Sequence, residues 1–246
     1  MFSFFRKKHF LADYLEGLTD MHCHILPSID DGSENNAMSL TMLDQFIDLG
    51  YTGIIATPHI MEGMYQNSSS KILRELRSFR KLIAENGFQD FLVNASAEYM
   101  LDQGFDNLLV NKDFLPISDK KVLVEMSYFQ QNIYVESQIF DLQQHGFEPI
   151  LAHPERYPYL RQIDDVIMFQ RKGCYLQLNL LSLSGHYGPA VYKRSIDLLA
   201  NNHYDFLGTD AHKPAHLEKL KEITISKKLI TPIEALVNAT KENMSG

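Results

Sequence analysis

The sequence predicts an α/β fold, a TIM-like βα barrel in a single domain, and three observations carry that expectation. Apolar runs of strand length alternate with helical patterns along the whole chain, as parallel strands with helical crossovers do. Seven such runs occur, at residues 18–25, 52–57, 91–97, 121–126, 149–152, 174–179 and 205–208. Each finishes in a polar or ligand-type residue. A closed barrel brings all its strand C-terminal ends to one mouth, so the set fits a barrel better than an open Rossmann sheet.

In chain order, residues 1–17 form a lead-in and 18–246 the barrel. Residues 2–10, FSFFRKKHF, mix aromatic and basic side chains. They lack the apolar core and small-residue cleavage site of a signal peptide, and one such stretch binds bilayers weakly. A short helical segment packed on the domain is expected there. The first barrel helix is expected at about 34–49, with Ser33 as its cap and Glu34 in the first turn. The second, 69–86, places Ile72, Leu76, Phe79 and Ile83 at spacings of four, three and four, then stops at Asn86-Gly87. Residues 99–118 break the rhythm and read as an inserted helix and loop beside the mouth. Helical patterns follow at about 132–145, 163–172, 189–201 and 217–228, and Thr231-Pro232 starts a short final helix.

Composition excludes several classes. With 45% hydrophobic and 22% charged residues the chain is an ordinary globular protein, long enough at 246 residues for a full core. A net charge of −8 argues against nucleic-acid binding, which needs a basic surface. Two cysteines give neither a disulfide framework nor a CxxC zinc pair. No apolar run reaches the roughly 18 residues of a membrane span, so no integral membrane segment is expected and the chain reads as cytoplasmic.

The chemistry lies at the strand ends. In Asp20-Met21-His22-Cys23-His24 the two histidines share one face of a strand, roughly 6–7 Å apart at Cα, close enough to hold one metal ion. Collected from the other ends, the set is His22, His24, His59, Glu98, Glu125, His153, Asp210 and His212. Asp31, from Asp30-Asp31-Gly32, joins it from the first loop. Mixed nitrogen and oxygen ligation suits zinc, manganese or iron, where all-oxygen sites suit magnesium or calcium. Glu98 and Glu125 end apolar strands, where an unpaired carboxylate is costly and a cation removes the cost. Three divalent ions with a bridging hydroxide, these four carboxylates and Arg156 leave a balance of about +2, suited to a phosphate monoester dianion. Clustered metals hold phosphate oxygens, lower the pKa of a bound water and stabilise the entering and leaving oxygens. Arg156 can give phosphate two parallel hydrogen bonds, which lysine cannot.

His22-x-His24, Asp30-Asp31-Gly32, Thr57-Pro58-His59, Glu98, Glu125, His153-Pro154-Glu155-Arg156 and Asp210-x-His212 together resemble the PHP (polymerase and histidinol phosphatase) superfamily. Within it they resemble the bacterial tyrosine-phosphatase branch of capsule and exopolysaccharide production. The resemblance runs in order from Asp20 to about His212. It implies a distorted (βα)7 barrel with three divalent ions, commonly manganese, with iron or zinc as alternatives. One ion would take His22, His24, Glu98 and Asp210, and a second Glu98, Glu125 and His153. The third would take Asp31, His59 and His212. Arg156 matches the branch's phosphate-binding arginine. A second arginine found in some members after Asp-x-His is absent, and Lys213 and His216 stand in that stretch.

The expected activity is a metal-dependent phosphomonoesterase, a protein-tyrosine phosphatase acting on a bacterial tyrosine kinase or its tail. Arg156, Asp31 and His59 are its expected catalytic residues, and Arg156, Lys213 and His216 its substrate contacts. Phenolate, with a pKa of about 10, leaves without a strong general acid. The alternative is a small-molecule phosphatase of the histidinol-phosphate type, which favours a closed pocket where a peptide needs an open one. An inactive metal-binding module and a C–N hydrolase on a similar barrel fit less well, the first because the ligands are intact, the second because of Arg156 and the trinuclear set. A cysteine-phosphatase reading fails because a thiolate nucleophile needs an arginine close downstream. Six residues beyond Cys23 and Cys174 stand Ile29 and Leu180. Cys23 alternates toward the barrel wall as a small apolar filler. His9, His145 and His203 lie off the strand ends and read as structural, and His186 sits in a glycine-flanked loop at the surface or the pocket edge.

Overall fold

In the computed structural model, which describes residues 8–244, all seven expected strand segments hold a strand, and two of them are followed closely by a second short one. The strands are β1 (His9–Phe10), β2 (Thr19–Cys23), β3 (Gly53–Ala56), β4 (His59–Ile60), β5 (Leu92–Ala95), β6 (Glu98–Met100), β7 (Lys121–Glu125), β8 (Glu148–Ala152), β9 (Tyr175–Asn179), β10 (Phe206–Gly208) and β11 (Thr224–Ile225). The segment expected at 52–57 holds β3, and Thr57-Pro58 separates it from β4, because proline has no N–H for the ladder. The segment at 91–97 holds β5, and β6 begins just beyond it at Glu98. The chain runs on across both breaks, with Ser96 N–H donating to Ala56 O at 2.8 Å and Glu98 N–H to Pro58 O at 3.1 Å.

The result is a mixed α/β fold with two parallel sheets, ordered β10-β9-β8-β7-β6-β4 and β2-β3-β5. β2 and the end of β10 meet through a parallel bridge between Cys23 and Ala211, and Asp210 N–H donates to His22 O at 2.7 Å. One extra residue lies on β2, where Asp20 pairs with Ile54 but Cys23 with Ala56. This bulge lets Met21 join an apolar cluster with Ile55, Leu123, Ile150 and Phe206, while the next residue, His22, enters the polar site.

Helices α1 (Asn36–Asp48), α2 (Ser69–Glu85), α3 (Phe105–Asn111), α4 (Val135–Gln144), α5 (Ile163–Arg171), α6 (Pro189–Ala200), α7 (Pro214–Glu222) and α8 (Ile230–Met244) connect and cover the strands. α2 buries Ile72, Leu76, Phe79 and Ile83, the stripe read from the sequence. α3 supplies the helix expected within 99–118. α1 begins later than expected: Asn35, not Ser33, caps it by accepting from Met38 N–H at 3.0 Å, and Ser33 is bonded instead to Ser39. The helix expected at 217–228 ends at Glu222 and gives way to β11, which pairs antiparallel with β1. The described part of the lead-in is therefore a strand and a short 3-10 turn at Leu11–Tyr14, not a helix. The aromatic-basic residues 2–7 of that expectation lie outside the described residues. Among the described residues no helix is long and apolar enough to cross a membrane.

Candidate metal centre

All nine ligand-type residues singled out in the sequence come together, and Glu98 at the start of β6 is their hub. Its Oε2 lies 3.2 Å from His22 Nε2, 3.4 Å from His24 Nε2 and 3.2 Å from His59 Nδ1, while Oε1 lies 2.8 Å from His153 Nε2. Asp210 Oδ1 is 3.4 Å from both His22 and His24. Glu125, ending β7, sits 2.8 Å from His59 Nδ1. Asp31, half exposed on the first loop, stands 3.4 Å from His59 and 3.6 Å from His212, whose ring stacks on His24 at 3.9 Å.

The backbone is shaped to aim these side chains. His153 and Asp210, just past β8 and β10, hold left-handed φ of 35° and 51°, which costs free energy at a non-glycine residue and turns both sharply at the strand ends. The first loop folds back so tightly that a Cβ on Gly32 would lie 2.1 Å from His24 O, so the Asp-Asp-Gly run requires its glycine.

Donor atoms within reach of a shared ion form three groups: His22, His24, Glu98 and Asp210; His24, Asp31, His59 and His212; and His59, Glu98 and Glu125. The last group holds His59, where the resemblance implied His153, and His153 stands on the other oxygen of Glu98. His59 Nδ1, Glu98 Oε2 and Glu125 Oε1 are buried and, among the described residues, make no hydrogen bond of good geometry. Polar atoms are seldom left so, and here they face one another, as donors around a cation do.

Electrostatics point the same way. Burial is the strongest single influence on His22 and lowers its pKa, but Glu98 and Asp210 outweigh it and leave the pKa raised. His59 is likewise lowered by burial, then carried up to about 9 by Glu125 and Glu98. Burial and then Arg156 push His153 down to about 4. Burial and the charge of Glu98 push Glu125 up to about 7. Protons thus neutralise part of the site, a task a metal ion performs without protonating its ligands. The residues fit a metal.

Arg156, on the 3-10 turn after β8, pairs with Asp210 and lies between the rings of Tyr128 and Tyr187, 4.7 and 4.1 Å from their centroids. His216 Nδ1 accepts from the His212 backbone N–H at 3.3 Å, and Lys213 is exposed at the rim beside it. His186 is exposed and lies 3.1 Å from Lys219 Nζ. Cys23 is buried on the opposite face, its thiol pushed well up by burial and Asp20.

Several positioning residues escaped sequence reasoning. Asp30 accepts from His24 Nδ1 at 2.8 Å and from the His59 backbone N–H at 3.0 Å. Gln177 accepts from His22 Nδ1 at 3.1 Å, and Asn179 donates to Asp210 at 2.8 Å. Gln177 and Asn179 carried a signal: two polar residues two apart at the end of an apolar strand repeat the spacing of His22 and His24. Tyr128 and Tyr187 carried none among the chain's many aromatics.

Parallel strands that end on a shared set of imidazoles and carboxylates, with an arginine beside them, define a metal-dependent α/β enzyme. The sequence model of capsular polysaccharide synthesis, CpsB/CapC, matches residues 18–229, and the chain belongs to that family. It is 30% identical to tyrosine-protein phosphatase YwqE of Bacillus subtilis over 197 residues, 79% of this chain and 77% of that one. It is 24% identical to tyrosine-protein phosphatase CpsB of Streptococcus pneumoniae over 224 residues, 85% of this chain and 90% of that one. Among solved structures it superposes on one from the work on YwqE and CpsB, described as metal-dependent tyrosine phosphatases. The TM-score is 0.82 at 26% identity, covering 93% of this chain and 94% of that one. An amidohydrolase from Mycoplasma synoviae shares the fold alone, at TM-score 0.52 and 15% identity over 95% of this chain and 88% of that one.

Proposed function

We propose that this chain is a metal-dependent tyrosine-protein phosphatase, removing phosphate from a phosphotyrosine protein in capsule or exopolysaccharide production. A bacterial tyrosine kinase tail in the cytoplasm is the substrate this reading favours. The observation that carries it is Arg156 held beside nine converging metal-type donors. The two parallel sheets form one distorted (βα)7 barrel in this reading. The Cys23–Ala211 bridge and the internal cluster of Met21, Ile55, Leu123, Ile150 and Phe206 support that closure. Residues 18–246 make the barrel and 1–17 the lead-in, whose β1 is tied to β11.

Three divalent ions, manganese first and iron or zinc as alternatives, fit the donors. His22, His24, Glu98 and Asp210 would hold one; Glu98 and Glu125, with His153 on the other oxygen of Glu98, the second; Asp31, His59 and His212 the third. Bound there, they supply charge neutralisation at the phosphoryl oxygens and activation of water for attack on phosphorus. The protein's own groups do the rest. Arg156 turns its planar donors to the phosphate, already fixed by Tyr128 and Tyr187, so little order is lost on binding. Gln177 and Asp30 engage the Nδ1 atoms of His22 and His24, which leaves each Nε2 free to ligate. Asp31 and His59 border the open side of the site, where substrate enters.

The test is hydrolysis by the purified protein of a phosphotyrosine peptide beside histidinol phosphate, with metal analysis of the same sample. Phosphotyrosine turnover that exceeds histidinol phosphate turnover, with bound metal, supports the reading; the reverse preference sinks it. Arg156→Ala should lower kcat/KM on phosphotyrosine about 100-fold or more, and an unchanged value removes its assigned role.

A further inference from the structure

We propose that the cleft opening from the metal centre reads the residues flanking the phosphotyrosine. It selects peptides with a large apolar side chain, and without a carboxylate, next to it. The inference rests on the phosphatase reading and adds a specificity subsite to it. The cleft encloses about 760 Å³, and Asp31, His59 and Glu125 of the metal centre are part of its lining, so it is continuous with the place where phosphate is cleaved. A phosphotyrosine side chain alone leaves much of such a volume unfilled, since sites for whole drug-sized ligands run to roughly 300–1,000 Å³.

Two segments build the rest of the cleft. The first is a closed turn, in which Met61 and Tyr65 exchange backbone hydrogen bonds of 3.0 Å and Tyr65 stacks on His59 at 5.5 Å. It carries Met64 at its tip, 68% exposed. The second is the loop after β7, tethered by Tyr159 OH donating to Ser127 O at 2.7 Å and by Asn132 Nδ2 donating to Leu101 O at 3.1 Å. Between and beyond these tethers Phe129 is 99% exposed, Ile133 83% and Tyr134 59%.

Among the described residues eleven large apolar side chains are exposed, and Met64, Phe129, Ile133 and Tyr134 all line this cleft. Scattered singly they would need no explanation; gathered at the edge of a reaction site they mark a binding surface. Charge narrows the occupant. Glu62 and Asp102 line the cleft outside the metal centre, and among the described residues no lysine or arginine does. An acidic flank meets repulsion there, whereas an apolar one finds Phe129 and Ile133. Phosphate is served by Arg156 and the metals. Tyr128 joins the two functions, because its ring lies under Arg156 and also lines the cleft.

The experiment compares the manganese-loaded full chain with F129S/I133S and F129L/I133V variants. The substrates are p-nitrophenyl phosphate and phosphotyrosine peptides flanked by leucine, serine or glutamate. The wild type should prefer the leucine peptide to the serine peptide about tenfold in kcat/KM, with the glutamate peptide lowest. F129S/I133S should lose that preference and keep p-nitrophenyl phosphate turnover within about twofold, and F129L/I133V should retain most of it. A wild type indifferent to the flank overturns the inference and leaves the phosphatase reading standing. Equal loss on peptide and p-nitrophenyl phosphate in F129S/I133S also overturns it, as does a dimer that this variant dissolves in sedimentation. No turnover of any phosphotyrosine substrate removes the phosphatase reading, and this inference with it.

Discussion

Along the strand ends, Glu98 is fully buried and touched by four imidazoles; along the neighbouring cleft, Phe129 is 99% exposed. The first region stands on strand ends, with second partners such as Asp30 and Gln177 fixing ring orientation. The second stands on a turn and a loop, tethered at a few points and apolar where it faces outward. The difference teaches where each kind of work belongs. Metal chemistry tolerates little misplacement, so its ligands sit where backbone ladders hold them. Selection of a flexible peptide tolerates more, and loops can change without disturbing the strands.

The hardest way to break this contrast is at the strand ends. His22→Ala or His153→Ala should lower p-nitrophenyl phosphate hydrolysis more than about 100-fold while circular dichroism stays native, because each removes a donor at the Glu98 hub. Full activity in either variant would mean that the metal centre is not where the reaction occurs.

The same cluster of donors gives a second test. In His22, His24 and His59, carboxylate neighbours outweigh burial and raise the pKa, that of His59 to about 9. With its pKa at about 9, His59 holds a proton at neutral pH, and a metal ion must displace it. Metal uptake should therefore release protons at pH 7, tighten as pH rises toward 9 and weaken as pH falls, by on the order of tenfold per pH unit for each proton displaced. Titration calorimetry in Hepes and in Tris, which differ in ionisation heat, reads the proton count. Identical heats in the two buffers would refute the coupling.

The sequence carried the strand-end region better than the cleft, and the reason is physical. His22, His24, His153 and Asp210 are each a rare residue type at the end of an apolar run, where burial without a purpose is costly. The seven strand segments followed from alternation, which depends on local pattern. What failed was long-range or finely local: the switch from α7 to β11 is set by pairing with β1 more than 200 residues earlier, and the cap of α1 turns on which of two nearby polar residues accepts from Met38 N–H. Phe129 and Ile133 were unreadable because an exposed loop aromatic and a buried one look alike in sequence. Asp30 and Asp31 are alike in sequence; it is their placement in the fold that makes Asp30 the residue that orients His24 and Asp31 the one that faces solvent.

The smallest expected effect lies at the rim, at Lys213 and His216, where the family resemblance implied a second arginine and this chain has none. They differ in what they can contribute. Burial, with His212 beside it, pushes His216 down to about 4, so its ring is neutral at pH 7 and its Nδ1 is already accepting from the His212 backbone. It cannot replace an arginine's charge. Lys213 can, but it is exposed, and an exposed charge is screened by salt and free to move. Lys213→Ala should thus raise KM for phosphotyrosine peptide about threefold at low salt, leave kcat unchanged, and lose its effect at high salt. A fall in kcat/KM of the size expected for Arg156→Ala would place Lys213 on the reacting phosphate and move the boundary of the catalytic region outward to the rim.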